Sequence, residues 1–461
     1  MKKKRRRFIT TKIIALGFMI AALCGTALLL LPLARRPGVH VSFTDTVFTA
    51  MSAVCVTGLL TKPLVSTWSP FGQIVILALI QMGGLGIVTF TTVFMLLLRR
   101  RISLKERMLI RDAYNLDKIG GLIVMVRRII RGTLIVEAAG AVLYMFVFVP
   151  KYGARGVWKS IFLSVSAFCN AGMDLLGENS LMDYTGNVLV NVTTMCLIVI
   201  AGIGFPVWWT MQAEAGKIRQ GRGSGVPLHE RIISSIRHLP LYVKIVLSST
   251  LVLIFGGALL IFIIEFDNAR TLGHLPLSKK ILASIFQSVT TRTAGFAAIS
   301  QTGLRKASAL LCCVLMFIGG SPSGTAGGIK TTTIVILLCT VISILRERNE
   351  TELFSRRVGG NTVRRAVAIF AVSFSVMLIS LFLLCSVQPG GFVDCLYEVV
   401  SAIATVGLSR DFTGGLTTVG RWIIIFTMYL GRIGPISLAL FFNSGQFINV
   451  IGYPEERVSV G

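Results

Sequence analysis

Gly58, Gly172, Gly295 and Gly407 recur at intervals of 114, 123 and 112 residues, each closing a short polar segment between apolar stretches: VCVTGL, SAFCNAGMD, TTRTAGF and SAIATVGL. A period this long means that one unit of about 115 residues is used four times. Each copy then delivers a glycine-bearing loop to an equivalent place. Four equivalent loops can surround an axis, and backbone carbonyls presented by such a ring can replace the water around a dehydrated cation.

Hydrophobic residues make up 54% of the 461, charged residues 14%, and the mean hydropathy is +0.78. A soluble globular chain is excluded on those figures. Apolar runs near 12–33, 72–98, 132–150, 188–211, 241–265, 308–345, 366–387 and 422–442 reach the roughly 20 residues that cross a hydrocarbon core. They fall two to a repeat. The expected fold is an all-α polytopic membrane protein of four membrane-pore-membrane repeats, with eight spanning helices and four re-entrant pore helices around one central pore. The repeats run over 1–98 (pore loop near 52–59), 99–211 (near 166–173), 212–345 (near 288–296) and 346–461 (near 401–408).

A net charge of +26 invites a nucleic-acid reading, but the placement of the basic residues opposes it. With the amino terminus in the cytoplasm, the inner segments 1–12, 99–131, 212–244 and 346–365 carry 29 of the 46 Lys and Arg, and the outer segments 14. This is the positive-inside bias of a plasma (inner) membrane protein with both termini cytoplasmic. The KKKRRR run at Lys2 to Arg7 is a topology signal, with contact to anionic membrane lipid as its second use. The run from Lys12 to Leu33 is longer than a signal-peptide core and lacks a cleavage pattern, so it is read as the first span. Nine cysteines and four histidines show neither disulfide nor metal-ligand spacing.

Before each glycine loop stands a half-hydrophobic segment too short to cross a bilayer: 44–54, 156–168, 279–291 and 391–404. These suit pore helices, whose carboxyl-terminal dipoles favour a cation. The loops after them must line a wet cavity or be buried in protein. Glycine adopts positive φ without a Cβ clash, which lets successive carbonyls point one way. The filter is therefore assigned to the backbone oxygens of Cys55, Val56 and Thr57 before Gly58, and of Cys169, Asn170 and Ala171 before Gly172. Its other half is Arg292, Thr293 and Ala294 before Gly295, with Ala404, Thr405 and Val406 before Gly407.

A second element recurs further on in QMGGLG, IAGIGF, FIGGSP and YLGRIGP, where packing of small residues accounts for most of the pattern. The third copy differs. Its run from 308 to 345 is interrupted by GGSPSGTAGGIKTTT, which no helix can traverse. The segment 319–333, with Gly319, Gly320, Ser321, Ser323, Gly324, Thr325, Ala326, Gly327, Gly328 and Lys330, is read as an intramembrane gate loop or, on the plainer view, a fixed kink. It is not a phosphate loop, because Ile329 separates Gly328 from Lys330.

Arg432 lies within an apolar span, at a cost of roughly 2.5–3.5 kcal/mol on insertion scales. Two readings stand: an electrostatic barrier in the pore, and a structural tie between helices. Arg292 is expected to brace pore-loop carbonyls or an acidic neighbour. Asp45 and Glu398, in the first and fourth pore helices, are expected to cap or brace them.

TDTVFTAMSAVCVTGL, SAFCNAGMD, QSVTTRTAGF, GGSPSGTAGGIKTTT, YEVVSAIATVGL and the terminal YPEERVSVG together resemble the Trk, Ktr and HKT superfamily of potassium transporters. Within it the chain is most similar to the ion-translocating membrane subunit of a bacterial Ktr system. The resemblance implies K+ uptake through a channel-like pore, often assisted by Na+, with no organic cofactor on this chain. It also implies a homodimer seated on a cytosolic ring of separate subunits that bind ATP or ADP. On the same resemblance, the broken third span is the gating loop and Arg432 its partner across the pore. Glycine at all four filter positions favours potassium. A secondary carrier for an organic solute is the alternative, and it calls for two corresponding broken segments in inverted halves, where the sequence offers one. No catalytic constellation appears, so an enzyme is not expected.

Overall fold

A computed structural model describes residues 2–86, 88–90, 92, 122–220, 227–348 and 350–434. Most of the basic segment 99–131, the end of the final apolar run and the terminal YPEERVSVG lie outside the described residues.

The described residues fold as helices with one small hairpin. The first unit is α1 (Lys2–Leu30), α2 (Phe43–Cys55) and α3 (Pro70–Leu85). The second is α4 (Leu122–Tyr152), α5 (Ala154–Cys169), α6 (Val188–Gly202) and the appended α7 (Phe205–Gln220) and α8 (Leu228–His238). The third is α9 (Leu241–Glu265), α10 (Leu277–Thr290), α11 (Lys306–Phe317) and α12 (Thr331–Leu345), followed by the antiparallel strands β1 (Thr351–Leu353) and β2 (Arg356–Val358). The fourth is α13 (Gly360–Val387), α14 (Phe392–Ile403) and α15 (Thr418–Ile433).

Among the described residues, four helices are long and apolar enough to cross a membrane, or five if the bent pair α6 and α7 counts as one span: the four are the Lys12–Leu30 part of α1, and α4, α9 and α13. Their outward faces carry exposed side chains such as Leu251, Val252, Phe255 and Leu259 on α9, a surface suited to hydrocarbon rather than water. The short helices α2, α5, α10 and α14 are the inner layer. Most of their residues are buried.

Local sequence explains the starts of these helices. Ser42 accepts the Asp45 amide at 3.1 Å and donates to the Asp45 carboxylate at 2.8 Å, a reciprocal N-terminal cap. Ser69, Asn187 and Thr417 cap α3, α6 and α15 in the same way, each accepting an amide three residues on. Glu214 joins α7 to α8 by contacts of 2.7 Å to both Lys217 and Ser235, and these hydrogen bonds hold its carboxyl below the usual range.

Two features of the spans differ from the sequence reading. The apolar run 188–211 is not one span, because α6 and the Phe205–Arg219 stretch of α7 meet at 97°. The bend sits at Gly204, whose φ of +89° no helix accommodates. Gly86 and Gly434 have φ of +83° and +86° at the corresponding ends of α3 and α15. The repeated small-residue element therefore ends helices in three units, beyond the packing role expected of it, and the third unit is not alone in being broken.

The first and last units join directly. Asp45, 4% exposed, pairs with Arg421 of α15 at 2.7 Å, and Tyr429 donates to the Ala15 carbonyl at 3.0 Å. Removing one partner of a buried pair costs about 3 kcal/mol or more. Asp45→Asn is expected to lower the melting temperature of the detergent-solubilised protein by several degrees, with partial recovery in Asp45→Asn/Arg421→Gln. A wild-type melting curve for Asp45→Asn would remove the pair from the account of stability.

Candidate functional site

Each inner-layer helix ends in a loop with one backbone pattern. The residue two before the glycine is left-handed, at Val56 (φ 56°), Asn170 (60°), Thr293 (64°) and Thr405 (51°). The glycine itself follows suit, at Gly58 (φ 96°), Gly172 (64°), Gly295 (83°) and Gly407 (98°). Positive φ at a β-branched residue such as Val56 is an outlier that only surrounding structure sustains. Alternation of handedness along three residues turns consecutive carbonyls toward the same side, which ordinary strand or helix does not do.

The four loops close into a ring. A methyl built on Gly58 would strike the Ala171 carbonyl oxygen, and one on Gly295 the Val406 carbonyl oxygen. On Gly407 it would strike the Thr57 carbonyl oxygen, and on Gly172 it would stand 2.8 Å from both the Ala294 oxygen and the Gly295 Cα. Each glycine thus faces the loop of the next unit, in chain order, and the fourth faces the first.

Hydroxyls fasten the ring from behind, a feature the sequence reading missed. Ser52 and Ser401 accept the Gly58 and Gly407 amides at 3.0 Å, and Ser166 accepts the Met173 amide at 3.0 Å. In the third unit Thr290 donates instead to the Phe296 carbonyl at 2.7 Å. The signal was present as SA, with the serine six residues before the glycine in SAVCVTG, SAFCNAG and SAIATVG.

Glu398 accepts from Ser409 at 2.7 Å and Thr413 at 2.5 Å, so it braces the strand leaving the fourth loop. Asp45 holds the first pore helix against α15 as described. Arg292 does neither thing expected of it. Its guanidinium is 6% exposed and donates to the Thr250 hydroxyl at 3.4 Å, with no carboxylate partner among the described residues. The side chain reaches α9 at Thr250 and lines a small cavity with Gly202 and Gly320.

The segment 318–330 lies directly against the pore loops. Its two ends are clipped together by Gly319 N–H to Ile329 O at 2.9 Å and Thr331 N–H to Gly320 O at 3.1 Å. It docks on the break after α6: Ser321 N–H donates to the Gly202 carbonyl at 3.0 Å, Phe205 N–H to the Ser323 carbonyl at 3.3 Å, and the Tyr242 hydroxyl to the Pro322 carbonyl at 2.8 Å. A methyl on Gly324 would come within 2.8 Å of the Ala201 carbonyl. On the other side, Gly327 touches Thr405 so closely that any β-carbon would collide with its hydroxyl. Thr325 Oγ1 donates to the Phe168 carbonyl at 3.3 Å, and Lys330 Nζ folds back onto the Ala326 carbonyl at 2.6 Å. Ala326 and Gly328 complete the loop.

Arg432 straps this loop in place. One terminal nitrogen donates to the Thr325 carbonyl at 3.0 Å and the other to the Gly83 carbonyl of α3. The guanidinium carbon is 6.0 Å from the Phe18 ring centroid. A single side chain of the fourth unit thus spans the loop of the third and a helix of the first.

A ring of backbone carbonyls is a chemistry that can replace the water around a cation, and a glycine-rich segment packs against this ring. Nothing in it resembles a catalytic centre. A TrkH family model, described as a cation transport protein, matches residues 26–449. Over 99% of its length the chain is 36% identical to Ktr system potassium uptake protein B of Bacillus subtilis, covering 97% of that protein. It is 35% identical to the potassium/sodium uptake protein NtpJ of Enterococcus hirae, over 100% of this chain and 99% of the other. The crystal structure of the potassium transporter TrkH from Vibrio parahaemolyticus superposes with a TM-score of 0.73 at 16% identity, covering 94% of this chain and 84% of that one. That likeness speaks to fold, while the family match over most of the sequence shows that the chain belongs to the TrkH family of cation transport proteins.

Proposed function

We propose that the chain is the potassium-selective, ion-translocating subunit of an uptake system in the plasma membrane. The observation that carries this reading is the closed ring of four glycines, each in van der Waals contact with the next loop's backbone. Selectivity rests on the carbonyls of the three residues before each glycine, held by the hydroxyl fastenings behind them. The four units act as span, pore helix, filter loop and span around one axis. Both termini lie in the cytoplasm.

The segment from Gly319 to Lys330 is the gate, and Arg432 holds it shut. Support for a gate over a fixed kink is its composition and its docking on the second and fourth units. A separate cytosolic nucleotide-binding ring, a homodimeric membrane part and Na+-dependence of flux complete the reading; relatives named for a Ktr system and for sodium as well as potassium uptake support a further subunit and a role for Na+. The carrier alternative loses ground on the helix ends at Gly86, Gly204 and Gly434, each at positive φ, because three of the four repeats carry one where inverted halves call for two.

The test is uptake of radioactive rubidium by the purified full chain in lipid vesicles. Rubidium should accumulate down its gradient, with potassium in excess suppressing the signal and sodium at the same concentration leaving most of it. Uptake equal to that of empty vesicles, or equally suppressed by sodium, overturns the assignment.

A further inference from the structure

The filter carbonyls account for the backbone of each pore loop but leave a set of side chains unexplained. Two residues before the four glycines stand Val56, Asn170, Thr293 and Thr405, all in the left-handed conformation. Because the loops share one conformation and close into one ring, these side chains stand at one level. Two of them are placed on the gate side of the glycines. Gly327 of the gate loop lies against the Thr405 hydroxyl, and the Asn170 amide nitrogen is 3.9 Å from a methyl built on Gly202, where the gate loop docks.

Asn170 is 1% exposed, Thr293 0% and Thr405 1%. Even so, the amide oxygen and nitrogen of Asn170 and the hydroxyls of Thr293 and Thr405 have no protein partner. Each such group carries a desolvation cost of about 1–3 kcal/mol, and most buried polar side chains avoid it. Three together, on loops that meet in one ring, point to an occupant.

We propose that the side-chain oxygens of Asn170, Thr293 and Thr405 form a cation site between the filter and the gate loop. The inference rests on the filter reading above and adds a second, chemically different station to it. Every donor is neutral, and no carboxylate stands among them, which suits an alkali cation and not a divalent ion that demands charged ligands. Val56 occupies the fourth quadrant and offers no oxygen, so the ion there completes its shell with water. A cation leaving the filter thus exchanges backbone carbonyls for hydroxyls, an amide and water in one step rather than meeting bulk solvent at once. Since Gly327 presses on one of the three donors, occupancy and a fully seated gate loop compete.

Anomalous diffraction from thallous ions in crystals of the full chain tests this. The wild type should show filter peaks near the glycines and one further peak on the gate side, within about 3 Å of the three side chains, a contact distance fitting a large monovalent cation and oxygen. In Thr293→Val/Thr405→Val, which keeps side-chain shape, the lower peak should vanish while the filter peaks persist. In Val56→Thr, which supplies the missing hydroxyl, it should strengthen. Rubidium uptake by the double variant should show Vmax reduced roughly tenfold with KM unchanged, the pattern of a slowed exit. Filter peaks without the lower one in the wild type, or a lower peak that survives in the double variant, overturn the site alone. Loss of every peak in the wild type overturns the filter reading and this site with it.

Discussion

Gly58→Ser and Gly295→Ser are each expected to reduce the preference for rubidium over sodium by tenfold or more, the equivalent of about 1.4 kcal/mol in relative binding. The cause is steric before it is chemical. A β-carbon on Gly58 collides with the Ala171 carbonyl oxygen, and one on Gly295 with the Val406 carbonyl oxygen. Both glycines also hold φ values, 96° and 83°, that side-chain-bearing residues resist. Either the substituted loop retreats or the neighbour's carbonyl turns away, and in both cases an oxygen leaves the ring. Alanine should therefore act nearly as strongly as serine, whereas a role for the hydroxyl itself would leave alanine mild. Paired rubidium and sodium flux measurements in vesicles decide it, and unchanged selectivity in both serine variants would sink the filter assignment.

Arg432→Ala should raise basal flux by tenfold or more. Two charge-assisted hydrogen bonds, each worth about 1.5–3 kcal/mol, join its guanidinium to the Thr325 and Gly83 carbonyls. Losing both weights the gate loop toward its displaced position by that amount. Arg432→Lys distinguishes the tie from the charge barrier. Lysine keeps the charge but is a single point donor, unable to bridge two carbonyls on different elements. If the tie governs, lysine behaves like alanine; if the barrier governs, like the wild type. Normal flux in Arg432→Ala at normal expression would refute the strap.

Much of the inner layer can be read from the chain alone. The short helices Phe43–Cys55, Ala154–Cys169, Leu277–Thr290 and Phe392–Ile403 begin and end within two residues of the limits set by their hydropathy and glycines. That works because a half-apolar segment too short for a bilayer has few alternatives. The helix breaks at Gly86, Gly204 and Gly434 were hidden, since a glycine in an apolar run looks the same whether it admits a neighbour or ends a helix. Its φ is decided by what approaches it, and at Gly204 that is the Pro322 carbonyl, 2.6 Å from a built methyl. The destination of Arg292 was hidden for a related reason: its reach to Thr250 depends on where α9 packs. The serine fastenings were legible and overlooked, because small hydroxyl residues are common in membrane helices.

Closure of the ring between its ends has a bearing on biosynthesis. The glycine of the fourth loop rests on Thr57 of the first, and α15 brings both Arg421 to Asp45 and Tyr429 to Ala15. A nascent chain that has released three units has one side of the passage open to lipid and lacks the strap at Arg432. The contact that closes the ring and the contacts of Arg432 to Thr325 and Gly83 therefore both wait for the last unit, and synthesis completes them together.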